Sequence, residues 1–128
     1  MQRRPPSSVL GWLDVQAPAA IWITSVTLFE ARFGLAAMDA GRRKSGLQDA
    51  FELLVEQDLQ HRVAVFDSSA ADRAASLAAE RQRKGRPVDI RDTFIAGIAL
   101  AHGASIATRN VRHFDDLAVP VINPWEFS

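Results

Sequence analysis

The sequence predicts an α/β domain in which a short parallel sheet lies between layers of helices. Short apolar runs rich in valine and isoleucine alternate with segments of helical spacing, and these runs lie at residues 20–26, 62–66, 105–109 and 119–123. No internal repeat or linker divides the 128 residues, a length typical of one domain with its own core. Alternating strands and helices favour parallel strands covered on both faces.

The first predicted element is a helix that follows Pro5 and Pro6, with its N-cap at Ser7 or Ser8. Domains of this class usually open instead with the strand that lies centrally in the sheet. We therefore expect either that a terminal helix packs alone or that an opening strand is absent. The elements that follow are predicted strands at 20–26 and 62–66 and predicted helices at 27–38 and 46–60.

The second half contains two helices whose ends are marked by capping residues. Asp67 or Ser68 caps an alanine-rich helix that runs to about Lys84, where Gly85 and Pro87 end it. The segment VDIRDTFIAGIALAHG, residues 88–103, then predicts an almost wholly apolar helix. Two short strands complete the pattern, at 105–109 and 119–123.

Composition excludes several kinds of protein. Fifteen basic and fifteen acidic residues give a net charge of zero, so overall charge provides no attraction to nucleic acids or membranes. The absence of cysteine excludes disulfides, thiolate catalysis and cysteine zinc sites, and His61, His102 and His113 lack metal-ligand spacing. No apolar run approaches the roughly 20 residues of a membrane span, and no secretory signal is present. We expect a cytoplasmic protein.

Two carboxylates fall on predicted apolar helix faces. At about 100° per residue, Asp92 shares a stripe with Ile95 and Ala99, and Glu30 lies beside Phe33. A carboxylate that is buried without a partner is either costly or neutralised by a raised pKa. Each acid is therefore expected to meet a positive charge.

Each acid has a structural explanation when it is taken alone. Asp89 as N-cap and Asp92 in the first turn complement the helix dipole, and a buried arginine could pair with Glu30. Taken together, the two inward acids favour a shared divalent cation, and oxygen ligands suit Mg²⁺ or Mn²⁺. Thr108 and Asn110 follow a strand at the edge where α/β sheets bind ligands, although both also suit a simple turn.

Three segments, taken in order, resemble the PIN-domain ribonucleases, and most of all the VapC-type toxins of toxin–antitoxin pairs that carry a terminal Asn-Pro-Trp. These segments are ITSVTLFEARFGL, DIRDTFIAGIALAHG and ATRNVRHFDDLAVPVINPW. The resemblance covers nearly the whole chain. It implies a PIN-like three-layer domain with a short parallel sheet between helices, and metal-dependent endonucleolytic cleavage of RNA. It also implies an antitoxin protein as partner and a homodimer.

The resemblance carries over to particular residues of the chain. Glu30 and Asp92 match the family's metal-binding acids, and Thr108 and Asn110 match its Thr-Arg-Asp/Asn segment. Asn110 would orient water through its amide without contributing charge. Asp115 would partly supply the negative charge that Asn110 lacks. The resemblance thus implies Glu30 and Asp92 as ligands of Mg²⁺ or Mn²⁺, with Asn110 as a third catalytic residue.

The chain departs from the family at its start. Family members open with a strand that ends in an Asp-Thr-Asn-like motif, whose aspartate binds the metal, whereas MQRRPPSSV matches only after that strand. Asp14 lies too late in the first helix to replace this aspartate. A late start codon or a truncated gene would explain the difference. We expect unpaired edges in the sheet and a weakened metal site.

The run RQRKGR before the Asp92 helix is either a solvated helix end or a surface that grips phosphate. Its candidate RNA contacts are Arg81, Arg83, Lys84 and Arg86.

The sequence therefore predicts a Mg²⁺- or Mn²⁺-dependent endoribonuclease toxin, impaired by the loss of its first catalytic aspartate. The alternative is a catalytically inactive PIN-like module that binds an antitoxin or associates with itself. A receiver-like signalling domain would need paired acids after its first strand and a lysine after a late one, and the chain has neither.

Overall fold

The computed structural model describes residues 7–126, and this part of the chain contains five α-helices and four short strands. The helices are α1 (Ser7–Asp14), α2 (Ser25–Ala36), α3 (Arg42–Leu53), α4 (Ser68–Arg83) and α5 (Ile90–His102). The strands are β1 (Ile23–Thr24), β2 (Val63–Ala64), β3 (Ile106–Ala107) and β4 (Val121–Ile122). Each apolar run predicted to form a strand contains one. The predicted α/β class is confirmed.

The strands form two separate parallel pairs. In one pair Ile23 of β1 lies opposite Val63 of β2, and in the other Ile106 of β3 lies opposite Val121 of β4. Within residues 7–126, no strand joins β1 to β3. A largely apolar cleft of about 690 Å³ is lined by both of these strands and by Ile98 of α5. The parallel pairing agrees with the sequence prediction, but the described residues form two half-sheets.

Capping residues set the ends of α4 and α5 where the sequence predicted them. The Asp67 carboxylate accepts a hydrogen bond from the N–H of Ala70 at 2.9 Å, and the Asp89 carboxylate accepts one from the N–H of Arg91 at 2.8 Å. Gly103 ends α5 with a left-handed backbone, at φ 61°. A residue with a side chain would be strained in this conformation.

The α5 helix is the centre of the core. Ala96 and Ala99 pack with Ile106 and Phe114 in one buried cluster, so the apolar face predicted for this helix is confirmed. On the α4 side, α5 approaches so closely that a Cβ on Gly97 would lie 2.5 Å from the Ala70 carbonyl oxygen. Close packing of the two helices therefore fixes the position of α5 relative to α4.

The helices of the first half are less buried than their sequences predicted. In α2 none of the residues is fully buried, and Phe33, expected on the inward stripe with Glu30, is 62% exposed. In α3 no residue is fully buried; Val55 and Leu59 are buried, in and just after a π-helical turn (Leu54–Asp58) that continues the helix. The inward stripe predicted for α2 is therefore wrong at Phe33.

The start of α1 corrects a further detail. Ser8 lies inside the helix, and its hydroxyl donates a hydrogen bond to the Trp125 carbonyl oxygen at 2.8 Å. This bond ties α1 to the 3₁₀ turn Pro124–Glu126, so Ser8 is not the N-cap. Pro5 and Pro6 lie outside the described residues. None of the helices described is long and apolar enough to cross a membrane.

Candidate active site

Asp92 lies in the first turn of α5, and its side chain is 19% exposed. Its carboxylate contacts Nδ1 of His113, which belongs to the 3₁₀ turn Val111–His113. The cap formed by Asp89 orients this turn of the helix, and the N–H of Arg91 holds the pKa of Asp89 below its ordinary value by hydrogen bonding to its carboxylate. Asp92 is therefore a largely buried carboxylate in a fixed position with one polar neighbour.

Glu30 lies on α2 and faces the same end of α5. Its Oε2 is 3.4 Å from Nη1 of Arg91, the residue next to Asp92. The arginine partner expected for Glu30 is thus present, but it is half exposed and also lies 3.5 Å from the carboxylate of Asp89. Arg91 bridges α2 and α5, so the two predicted metal-binding acids lie on adjacent helices near this arginine.

The loop after β3 holds the other predicted site residues. The N–H of Thr108 donates to the Ile122 carbonyl at 2.9 Å, which extends the pairing of β3 with β4. The Thr108 hydroxyl then accepts a hydrogen bond from the N–H of Asn110 at 3.0 Å and closes a tight turn. Asn110 is exposed and lines a cavity together with His113. Because His113 contacts Asp92 and lines the same cavity as Asn110, these residues lie on the same side of the molecule.

The chemistry of these residues fits a weakly held divalent cation. Asp92 and Glu30 supply carboxylate oxygens and Asn110 an amide oxygen. Mg²⁺ often binds through one or two carboxylates and substrate phosphates while keeping several waters. In the described part of the chain, however, no group of three or more acidic, histidine or cysteine side chains is arranged to hold a metal. The residues present therefore amount to an incomplete ligand set.

Arg81 corrects one sequence expectation, because its guanidinium is buried and cannot grip a phosphate. It donates to both carboxylate oxygens of Asp116, at 2.9 and 2.7 Å. It also donates to the His113 carbonyl at 2.7 Å and to the Thr93 hydroxyl at 3.2 Å. The hydrogen bonds from Arg81 hold the pKa of Asp116 below its ordinary value. Arg81 thus fastens the residues next to Asp92 from two sides.

The rest of the basic run is exposed. Lys84, which follows the last residue of α4, pairs with Glu80 at 2.9 Å, and Arg86 pairs with Asp115. The hydrogen bond with Asp115 raises the pKa of Arg86. Arg83 forms no ion pair with any residue in the described range. Asp115, predicted to support the metal site, is here the partner of an arginine.

Sequence reasoning missed three residues near the site: His113, Arg91 and Arg109. His113 touches Asp92 although it follows it by 21 positions, so no local spacing signals the contact. Arg91 lies between two acids in the sequence, and its contact with Glu30 joins residues 61 positions apart. The guanidinium carbon of Arg109 lies 4.6 Å from the centre of the Trp125 ring. The two residues belong to separate segments of the sequence, so no local pattern predicts this contact.

Comparison with known proteins gives consistent results. The profile of the PIN domain family matches residues 3–120. The VapC ribonuclease Y4jK of Sinorhizobium fredii is 38% identical over 122 residues, which cover 95% of this chain and 87% of that protein. Plasmid stability protein StbB of Pseudomonas syringae pv. tomato is 38% identical over 126 residues, or 98% and 91% of the two chains.

A solved structure of FitAB bound to an IR36 DNA fragment is also similar to this fold. The superposition has a TM-score of 0.89 at 27% sequence identity, and it covers 99% of this chain and 89% of the matched chain. The similarity therefore extends over almost all of both chains, including the segments that carry Glu30, Asp92 and Asn110.

Proposed function

The chain belongs to the PIN domain family, and on this basis we propose that it is a VapC-type endoribonuclease that depends on Mg²⁺ or Mn²⁺ and is the toxin of a toxin–antitoxin pair. The observation that carries the proposal is the position of Asp92. Its carboxylate is largely buried at the start of α5, while Glu30 faces the same helix end. Similarity to a protein named VapC ribonuclease supports RNA as the substrate.

In this proposal Asp92 and Glu30 would hold the divalent cation, and the Asn110 amide would hydrogen-bond to water or substrate beside them. A bound Mg²⁺ or Mn²⁺ supplies positive charge to the phosphodiester and makes water a better nucleophile. The chain's own part is positional. Asp89 caps the turn that carries Asp92, and Arg81 fixes Thr93 and the His113 backbone around it.

We also propose that the chain of 128 residues cleaves RNA slowly. Two carboxylates hold a cation less tightly than three, because each lost ligand removes a negative charge. Within the described residues no third acid joins Asp92 and Glu30. A version that carries an additional N-terminal strand ending in aspartate should therefore gain cleavage activity.

The alternative function, an inactive module that binds an antitoxin or a second copy, has an observation of its own. Phe29 and Phe33 stack at a centroid distance of 6.0 Å and are both more than half exposed. Exposed aromatic pairs of this kind mark interaction surfaces. The same surface would also serve an active toxin, for which we propose an antitoxin protein as partner and a homodimer as assembly. The similar FitAB structure, bound to DNA, supports an assembly with a second protein.

The test compares RNA cleavage and Mn²⁺ binding in the strand-extended protein and two variants of it. Asp92→Asn preserves the shape of the side chain and removes its charge, so we expect Mn²⁺ affinity and Mn²⁺-dependent cleavage both to fall at least tenfold. Asp72→Asn is the matched control, since Asp72 is an exposed acid on α4. Equal cleavage by the extended protein and its Asp92→Asn variant would reject the metal-dependent mechanism. An extended protein that binds no Mn²⁺ and leaves RNA intact would favour the inactive module.

A further inference from the structure

A polar cavity of about 680 Å³ borders the candidate site at the His113 turn. Three arginines line it, Arg86, Arg109 and Arg112, together with a single carboxylate, that of Glu126. Arg86 is neutralised by Asp115. Arg109 and Arg112 form no ion pair with any residue between 7 and 126. The cavity, which we call the arginine cavity, therefore presents two guanidinium groups with unused charge.

One of these groups lies over an aromatic ring. The Arg109 guanidinium carbon lies 4.6 Å from the centre of the Trp125 ring, so the indole holds this group in place while Arg109 also lines the cavity. Trp125 is in turn fixed by its own backbone, because its N–H donates to the Asn123 carboxamide at 2.9 Å and its carbonyl accepts from Ser8. A guanidinium plane supported in this way can stack on a nucleobase.

Two amides complete the lining. The Asn123 oxygen is occupied by Trp125, which leaves its NH₂ group as a donor. The Asn110 side chain makes no hydrogen bond to the described residues and does not cap the turn that follows it. Amide groups of this kind hydrogen-bond to the edges of unstacked bases. The cavity thus combines a stacking plane, a free cation and polar groups that suit a base edge.

We propose that the arginine cavity binds one nucleotide of single-stranded RNA, next to the phosphodiester presented to Asp92. The base stacks on Arg109, the adjoining phosphate binds Arg112, and the Asn123 amide meets the base edge, while Asn110 lies between this nucleotide and Asp92. The proposal rests on the proposed function for its choice of RNA. An acidic peptide would use the two charges but has no planar base to place against the Arg109 guanidinium and no base edge for the Asn123 amide, so the lining favours a nucleotide.

Binding is measured in EDTA with a fluorescent, non-cleavable 2′-O-methyl oligoribonucleotide, so that the result does not depend on catalysis. Arg112→Gln should reduce the slope of log affinity against log salt by about 0.7, the value for one phosphate contact on a single strand. Arg73→Gln, at an exposed arginine of α4, is the matched control and should leave the slope unchanged.

Arg109→Lys preserves the charge and removes the plane. We expect it to weaken binding by about fivefold or more, the lower bound for loss of one stacked base. The same variant should weaken the binding of an abasic oligonucleotide by a smaller factor. The slope of log affinity against log salt should stay unchanged, because the charge is preserved. A loss in Arg109→Lys that is equal for abasic and intact RNA would exclude stacking.

Three further results would overturn the proposal. The first is that the full chain does not bind the oligonucleotide. The second is that Arg73→Gln and Arg112→Gln reduce RNA affinity and its salt slope equally. The third is that the protein binds a glutamate-rich peptide in preference to RNA and that this binding depends on Arg112. The last result would assign the cavity to a protein partner. Mn²⁺-dependent cleavage and its loss in Asp92→Asn are scored separately, so the ribonuclease proposal can stand or fall without the cavity.

Discussion

Replacing Arg81 by methionine should be among the most destabilising single changes in this chain. Arg81 is 3% exposed at its side chain and donates four hydrogen bonds, two of them to Asp116. Removing one partner of a buried pair costs about 3–5 kcal/mol. Because the side chain of Asp116 remains 22% exposed and can regain some water, we expect the lower end, about 3 kcal/mol.

The assay is thermal and urea unfolding of Arg81→Met beside Arg83→Met. Arg83 is a matched control because it lies on the same helix, is exposed and forms no ion pair with the described residues. For a chain of this length a loss of 3 kcal/mol lowers the thermal midpoint by about 12 °C. Adding Asp116→Ala to Arg81→Met should recover part of the loss, since it removes the stranded carboxylate.

Two results would refute this reasoning. Arg81→Met and Arg83→Met could differ by less than about 1 kcal/mol, which would place Arg81 among ordinary surface residues. Alternatively, the double variant could be less stable than Arg81→Met by the full cost of Asp116→Ala alone. Strict additivity would mean that the charges of Arg81 and Asp116 do not interact.

A further prediction concerns the same ion pair, and two more concern other parts of the fold. The pKa of Asp116 is lowered in the fold, first by its hydrogen bond from Arg81, so the ionised carboxylate stabilises the protein at pH values above the ordinary aspartate pKa of about 3.9. This stabilisation should disappear as the pH falls through the lowered pKa of the folded state. Arg81→Met should therefore reduce the pH dependence of the free energy of unfolding, measured by urea unfolding at a series of pH values. Gly97→Ala should cost about 1–3 kcal/mol because the Ala70 carbonyl cannot move away, whereas Gly46→Ala, with open space around it, should stabilise α3 by about 0.5–1 kcal/mol. Phe33→Ser should weaken antitoxin binding or self-association, measured by sedimentation, with little change in the thermal midpoint, since Phe33 is 62% exposed.

The features that were predictable from the sequence are those fixed by local interactions. Asp67, Asp89 and Gly103 mark helix ends because a cap bonds within a few residues of itself, and all three do so in the structure. The apolar face of α5 was predictable for the same reason, since helical periodicity determines which side chains share a face. The exposure of Phe33 was not predictable, because periodicity shows which residues share a helix face and does not show what covers that face.

Contacts between distant segments account for the errors. Arg81 was predicted with its basic neighbours as a solvated or phosphate-binding group, because sequence shows charge and not burial. Its partner Asp116 is 35 residues away, and the helix packing that buries the pair brings them together. The His113–Asp92 contact depends on the same packing. At the site, sequence therefore indicated which acids to consider, whereas the side chains that surround them were visible only in the fold.

The cleft between β1 and β3 connects the sheet with the incomplete ligand set. β1 leads into the helix of Glu30 and β3 leads into Thr108 and Asn110, and parallel strands of one sheet present their carboxyl ends at one edge. A strand that entered the cleft parallel to both would end at this edge, so an aspartate at its last residue would join Glu30 and Asp92. Sheet pairing and metal affinity should therefore rise together in the strand-extended protein. Asparagine in place of that aspartate should keep the gain in thermal midpoint and lose the gain in Mn²⁺ affinity. If the asparagine version lost both, or the extension raised neither, the strand would not occupy this cleft.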